Sequence, residues 1–276
     1  MKTLCSLCPH HCAIDLGQRG FCRGRKNVDN TIICENYGKL TALALDPIEK
    51  KPLRRFFPGS FILSVGSYGC NMRCPFCQNY EIAMEDTTEG AVYFSPAELT
   101  AKALKLAETA PGNLGVAFTY NEPLIGYEYV MDTAKQIKKA GLKTVLVTNG
   151  MICTEPLKAL LPYIDAMNID LKGYTEKYYR WLKGDLQTVK NTIETSVKHC
   201  HVEVTTLIVP GKNDSEAEMA AEAAWLCTLD REIPLHISRF FPRYQVKTDA
   251  PTPVDTVDQL CEIAKKHLKY VFRGNC

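Results

Sequence analysis

Short apolar runs alternate along this chain with stretches whose apolar residues recur three and four positions apart. The runs Phe61–Ser67, Leu114–Thr119, Lys143–Thr148, Ala166–Leu171, Val202–Val209 and Leu235–Phe240 are short, apolar and of strand length, so they read as six strands. Helical stretches separate them. Ser95-Pro96-Ala97-Glu98 is a capping box with proline at the first helical position, and Leu99, Ala103 and Leu106 follow at helical spacing. Leu124–Ala140 reads as a helix ended by Gly141, and a short helix runs from about Glu155 to Leu161. A two-part helical stretch breaks near Gly184 and carries Leu186, Val189, Ile193 and Val197 on one face. Asp214–Leu229, capped by Asp214 or Ser215, precedes the sixth strand, and a last helix begins at Pro253-Val254-Asp255. Strand–helix alternation of this kind predicts an α/β protein with a parallel sheet. Six units are too few to close an eight-stranded barrel, so the expected fold is a partial, open (β/α)6 barrel over residues 59–276.

Residues 1–58 follow a different pattern, a small cysteine-rich segment. It contains one expected strand, Leu40–Leu45, and the connector Asp46-Pro47-Ile48-Glu49-Lys50-Lys51-Pro52-Leu53. Phe56-Phe57-Pro58-Gly59 marks its end. At 46% hydrophobic and 23% charged, the 276 residues can fill one large core plus a small appendage. A net charge of +2 gives no electrostatic reason to propose nucleic acid or a membrane surface as partner. Met1–Ala13 carries Cys, Pro and His rather than the apolar run of a signal peptide, and no stretch approaches membrane-span length. The expectation is a soluble cytoplasmic protein. In that setting thirteen cysteines argue for metal or redox chemistry rather than disulfides.

The cysteines fall in groups. Cys70, Cys74 and Cys77 are spaced C-x3-C-x2-C at the end of the first strand. An iron–sulfur cubane takes four thiolates, so three on one loop leave one iron open to a small molecule. A zinc knuckle or an unligated loop is the alternative, and zinc would need a fourth ligand. Cys5, Cys8, Cys12 and Cys22 are spaced x2, x3 and x9, which suits Zn²⁺ or a second iron–sulfur cluster, with His10 and His11 as alternative ligands. Cys153, Cys200, Cys227, Cys261 and Cys276 are scattered and read mostly as small buried hydrophobes.

Chemistry in β/α barrels gathers at the C-terminal ends of the strands. There the chain places the three cysteines, then Tyr120-Asn121-Glu122-Pro123, Thr148-Asn149-Gly150, Asp170-Leu171-Lys172-Gly173 and Pro210-Gly211-Lys212-Asn213. The sixth strand carries His236, Ser238 and Arg239. Asp170 and Lys172 also suit a plain barrel-closing salt bridge, Thr148-Asn149-Gly150 a turn, and His236 a satisfied core histidine.

C-x3-C-x-aromatic-C, with Phe76 as the aromatic, resembles the signature of the radical S-adenosylmethionine (SAM) enzymes. The opening Cys-x-Leu-Cys-Pro-His-x-Cys, the stretch Asp46–Pro52 and Cys74-Pro75-Phe76-Cys77-Gln78-Asn79 together resemble the AmmeMemoRadiSam-system branch, relatives of the pyruvate formate-lyase activating enzyme. The resemblance runs from Cys5 to about Asn275, and members of that branch tend to continue into another cysteine-containing tail. It implies a [4Fe–4S] cluster on Cys70, Cys74 and Cys77 that reductively cleaves SAM to methionine and a 5′-deoxyadenosyl radical. It implies SAM contacts from Phe76, Asn121, Glu122, Thr148, Asn149, Asp170 and Lys172; His236 and Arg239, by their place on the sixth strand, are expected to face the mouth toward adenosine or substrate. Glu122-Pro123 keeps half of the family's Gly-Gly-Glu-Pro, with Tyr120-Asn121 in place of the glycines. Val147 stands where activases carry an Asp that helps hold a monovalent cation, so the resemblance leaves that cation without its ligand. It also implies a reductant such as flavodoxin or ferredoxin and a protein substrate, as in glycyl-radical activation. The competing expectations are a small molecule or other macromolecule as substrate, and a non-catalytic iron–sulfur or zinc-binding module.

Overall fold

A computed structural model describes residues 2–85 and 90–276. The cysteine-rich segment opens with two small antiparallel pairs, β1 (Thr3–Leu4) with β2 (Ala13–Ile14) and β3 (Arg25–Val28) with β4 (Thr31–Cys34). The expected strand at Leu40–Leu45 is two strands, β5 (Lys39–Leu40) and β6 (Ala42–Pro47). Thr41 separates them, its hydroxyl bonded to the Ser67 carbonyl at 2.7 Å. β6 runs antiparallel to β7 (Phe61–Gly66) over six residue pairs. The last strand of the cysteine-rich segment is therefore also an edge of the main sheet.

From β7 onward the expected alternation is present. After β7 come α1 (Tyr80–Met84), β8 (Val92–Tyr93), α2 (Pro96–Ala107), β9 (Gly115–Phe118), α3 (Tyr127–Lys139) and β10 (Lys143–Thr148). Then follow α4 (Thr154–Leu160), β11 (Ala166–Asp170), α5 (Glu176–Trp181), α6 (Leu186–Ser196), β12 (His201–Ile208), α7 (Glu216–Leu229), β13 (Leu235–Arg239), α8 (Val254–Lys265) and β14 (Val271–Gly274). The Ser95 capping box is complete, with the Glu98 side chain returning to the Ser95 amide at 2.8 Å. α3 begins later than its apolar pattern suggests, because the Glu122 carboxylate accepts the Leu124 amide and holds Pro123–Gly126 as a 3-10 turn. The eight-stranded sheet has the order β14-β13-β12-β11-β10-β9-β7-β6, parallel throughout except at β6. It is a partial barrel, with β6 and β14 as its unjoined edges.

One end of this barrel is filled by the chain itself. The connector after β6 leaves the sheet at the N-terminal end of β7. It packs Ile48, Leu53 and Phe56 against Ile62, Ala117, Val145 and Ala166 on the strands. Its polar groups are satisfied there. Lys51 is buried and pairs with Asp46 at 2.8 Å, and Tyr120 donates to the same carboxylate at 2.8 Å. The Arg54 and Arg55 amides donate to Glu203, and Asn168 donates to the Pro52 carbonyl. With this floor sealed, the opposite end, where the strands terminate, is left for chemistry. Among the described residues no helix is long and apolar enough to cross a membrane.

Candidate active site

The cysteine loop leaves β7 and is pinned on every side. Gly69 adopts φ +85°, and a Cβ there would collide with the Cys22 carbonyl, so this position requires glycine. Asn121 accepts the Ser67 amide at 2.9 Å and donates to the Tyr68 and Gly69 carbonyls. Asn71 donates to the Met151 carbonyl, and the Arg73 amide bonds Leu182. The Arg73 guanidinium donates to the carbonyls of Cys70, Met72 and Phe21 and stacks 3.9 Å over the Phe21 ring. Phe76 is buried between Trp181 and Phe240, with ring centroids at 5.8 and 6.2 Å.

Three thiols come to this loop with their surroundings already arranged. Burial pushes Cys70 well above its ordinary value, with the neighbouring Glu122 and Cys74 adding to it. Burial likewise pushes Cys74 to about 12 and raises Cys77, while Lys172 works in the opposite direction at both. Buried thiols crowded in this way hold their protons unless a positive centre replaces them. That donor set suits an iron–sulfur cluster. Among the described residues no group of three or more His, Cys, Asp or Glu side chains is arranged to hold a metal ion as they stand.

Glu122 and Asn149 stand beside Cys70. The Glu122 carboxylate accepts the Thr148 hydroxyl at 2.7 Å, the Asn149 amide at 2.8 Å and the Leu124 amide at 2.9 Å. Burial nevertheless raises it to about 7, opposed by those hydrogen bonds and helped by Asp170. The Asn149 side chain donates to Asn71 at 2.9 Å and approaches the Cys70 sulfur at 3.6 Å. Lys172 pairs with Asp170 at 2.8 Å. Burial alone would lower the Lys172 ammonium, but Asp170 and the Cys74 and Cys77 thiols outweigh it and hold the charge. The Tyr179 hydroxyl accepts the Lys172 amide, and Asn213 donates to the Lys172 carbonyl at 2.8 Å.

The strand ends thus bring together Cys70, Cys74, Cys77, Phe76, Asn121, Glu122, Thr148, Asn149, Asp170 and Lys172. His236 does not join them. It is the second residue of β13, buried, with Nε2 2.6 Å from Glu203. It therefore belongs to the floor, where Glu203 also meets His201 and the connector, and it cannot face the mouth. Arg239 does end its strand, but its Nε donates to the Thr252 carbonyl at 2.7 Å and its guanidinium lies over Phe241. The site residues that the sequence did not single out are Asn71, Arg73 and Tyr179, with Asn213 named there only as part of a strand-end group. Asn213 closes the strand-end group Pro210–Asn213, and Asn71 and Arg73 lie between the cysteines. Their positions were in view and their bonding was not.

The four N-terminal cysteines also gather. Cys5, Cys8, Cys12 and Cys22 line one small cavity together with His10, Phe21 and Arg25. His10 is engaged elsewhere, its Nε2 2.7 Å from the Asn71 carbonyl and its ring against Phe21. His11 is exposed.

Residues 64–224 match the family model described as the radical SAM superfamily. An uncharacterized protein of Methanocaldococcus jannaschii is 40% identical over 278 residues, spanning 99% of this chain and 81% of that protein. The pyruvate formate-lyase 1-activating enzyme of Escherichia coli K12 is 28% identical over 161 residues, which are 54% of this chain and 61% of that enzyme. Streptococcus suis SuiB bound to S-adenosylmethionine superposes with a TM-score of 0.58 at 16% identity, over 76% of this chain and 48% of SuiB.

Proposed function

We propose, from the premise that this chain belongs to the radical SAM superfamily, that Cys70, Cys74 and Cys77 hold a [4Fe–4S] cluster and that the strand ends around it bind SAM. When bound, the pair supplies a 5′-deoxyadenosyl radical that abstracts hydrogen from a substrate. The chain's own residues position and shield. Lys172, charged and held by Asp170, neutralises the thiolates of Cys74 and Cys77 and offers a partner for a carboxylate. Glu122, buried next to Cys70, becomes a full carboxylate beside an ammonium group and can then accept from it. Asn149 donates toward the Cys70 sulfur and fixes the loop through Asn71. Phe76, between Trp181 and Phe240, keeps water from the Cys74–Cys77 side.

The observation that carries this reading is the convergence of two buried thiols, Cys70 and Cys74, and the half-buried Cys77, with Glu122 on one side and Lys172 on the other. The substrate we favour is a protein, by glycyl-radical activation, because of the likeness to the pyruvate formate-lyase 1-activating enzyme and the open barrel edge between β14 and β6. A flavodoxin or ferredoxin would be the reductant. The experiment is anaerobic reconstitution followed by SAM and dithionite, with 5′-deoxyadenosine and methionine as readout. A fully loaded cluster that releases neither product would sink the proposal. Cys74→Ala should lose both the cluster absorbance and SAM cleavage.

A further inference from the structure

The four N-terminal cysteines surround a cavity whose wall holds a donor with nothing to donate to. Arg25 is 7% exposed and lines that cavity. One guanidinium nitrogen pairs with Glu128 on α3, yet its Nε is buried without a hydrogen-bond partner. An orphaned buried N–H next to four sulfurs is costly unless an acceptor belongs there. Two of the sulfurs already receive donors. Cys22 accepts the Gly24 and Arg25 amides, and Cys8 accepts the His10 amide and the Asn71 side chain. These N–H groups lie where they would meet the sulfurs of a bound metal centre. Cys34 takes no part, since its thiol donates to Asn36 at 3.1 Å.

We infer that Cys5, Cys8, Cys12 and Cys22 bind a second [4Fe–4S] cluster, with Arg25 as the cation facing it. A cubane with four thiolates carries net negative charge and sulfur acceptors, which the Arg25 Nε–H and charge match. A single zinc ion would draw its sulfurs to about 2.3 Å from the metal. Zinc is the rival occupant of four such cysteines, and the iron and sulfide content of the protein distinguishes the two. The two sites are also physically joined. The Cys70 amide donates to the Cys22 carbonyl at 3.1 Å, and Asn71 touches Cys8 while accepting from Asn149.

The test uses the full chain with Cys70, Cys74 and Cys77 all replaced by Ala, so it does not depend on SAM chemistry. After anaerobic reconstitution this variant should retain about 4 iron and 4 sulfide per chain, against about 8 of each in the parent. Its electron paramagnetic resonance spectrum, once reduced, should not change on adding SAM. Replacing Cys8 and Cys22 by Ala in the parent should likewise bring the count to about 4 iron while the SAM-responsive signal stays. Arg25→Gln in the triple variant should move the cluster's reduction potential to a more negative value. A triple variant with no iron, or with stoichiometric zinc in its place, would overturn the inference. An unchanged potential would overturn the role given to Arg25.

Discussion

Glu122 ties the ends of two strands and the entry to α3 through one carboxyl group. A glutamine there keeps the shape but presents an NH2 to one set of donors. Glu122→Gln should therefore cost about 1–3 kcal/mol of stability, measured by urea unfolding. It should also lower the iron retained after reconstitution. Glu222 offers a separate test, on a buried acid bonded to the Thr206 hydroxyl. Burial raises it to about 8, opposed by the Thr206 hydroxyl and helped by Glu218. A carboxyl whose folded pKa lies above its ordinary value is neutral in the native state, and it weakens the fold as pH rises from the ordinary value through 8. Glu222→Gln should accordingly remove a loss of order 1–4 kcal/mol between pH 6 and pH 9, read as a smaller drop in Tm. At this scale the sequence showed residue types and strand-end positions. Asn121 and Glu122 stood out because Asn-Glu-Pro is poor strand or helix material. His236 was misplaced because alternation along β13 shows which side chains point inward, not how far along the barrel they sit.

The cysteine loop depends on the element facing it as much as on its own residues. Gly69→Ala adds a Cβ where the Cys22 carbonyl lies and strains a backbone at φ +85°. The expected outcome is a soluble protein with well under half the parent's iron and correspondingly weak 5′-deoxyadenosine formation. Normal loading would show that the cysteine-rich lobe can move away from the loop. The six strands and most of the helices between them were legible from their apolar period, while α7, nearly uniform around its axis, was legible from its length and its Ser215 cap. β14 was not, since Val271–Gly274 is short, ends in Arg-Gly and has no alternation to read. β6 was visible as a strand, but its antiparallel place beside β7 depends on a tertiary pairing. The 3-10 turn at Pro123–Gly126 came from a side-chain cap that apolar spacing does not report.

The whole molecule is a parallel half-barrel closed at one end by residues that precede it in the chain. Glu203 is the centre of that closure. Burial favours its neutral form, yet His201, His236 and the Arg54 and Arg55 amides hold it down at about 2. A depressed carboxylate contributes stability at and above its ordinary value and loses it as pH falls toward 2. Glu203→Gln should lower stability at pH 7 by up to about 3 kcal/mol and flatten the loss between pH 5 and pH 3, seen in pH-dependent denaturation midpoints. The barrel class could be read from alternation alone. Its floor could not, because the bonds between Arg55 and Glu203 join residues 148 positions apart. That separation bears on how the chain is made. The connector leaves the ribosome early, but its Arg54 and Arg55 amides do not meet the Glu203 carboxylate until β12 follows, so the base is completed late in synthesis. A nascent or truncated chain ending before β9 would lack Ala117, Val145 and Ala166 and would present Ile48, Leu53 and Phe56 to solvent. Those three side chains thus mark an unfinished barrel for any chaperone or protease that surveys exposed apolar surface.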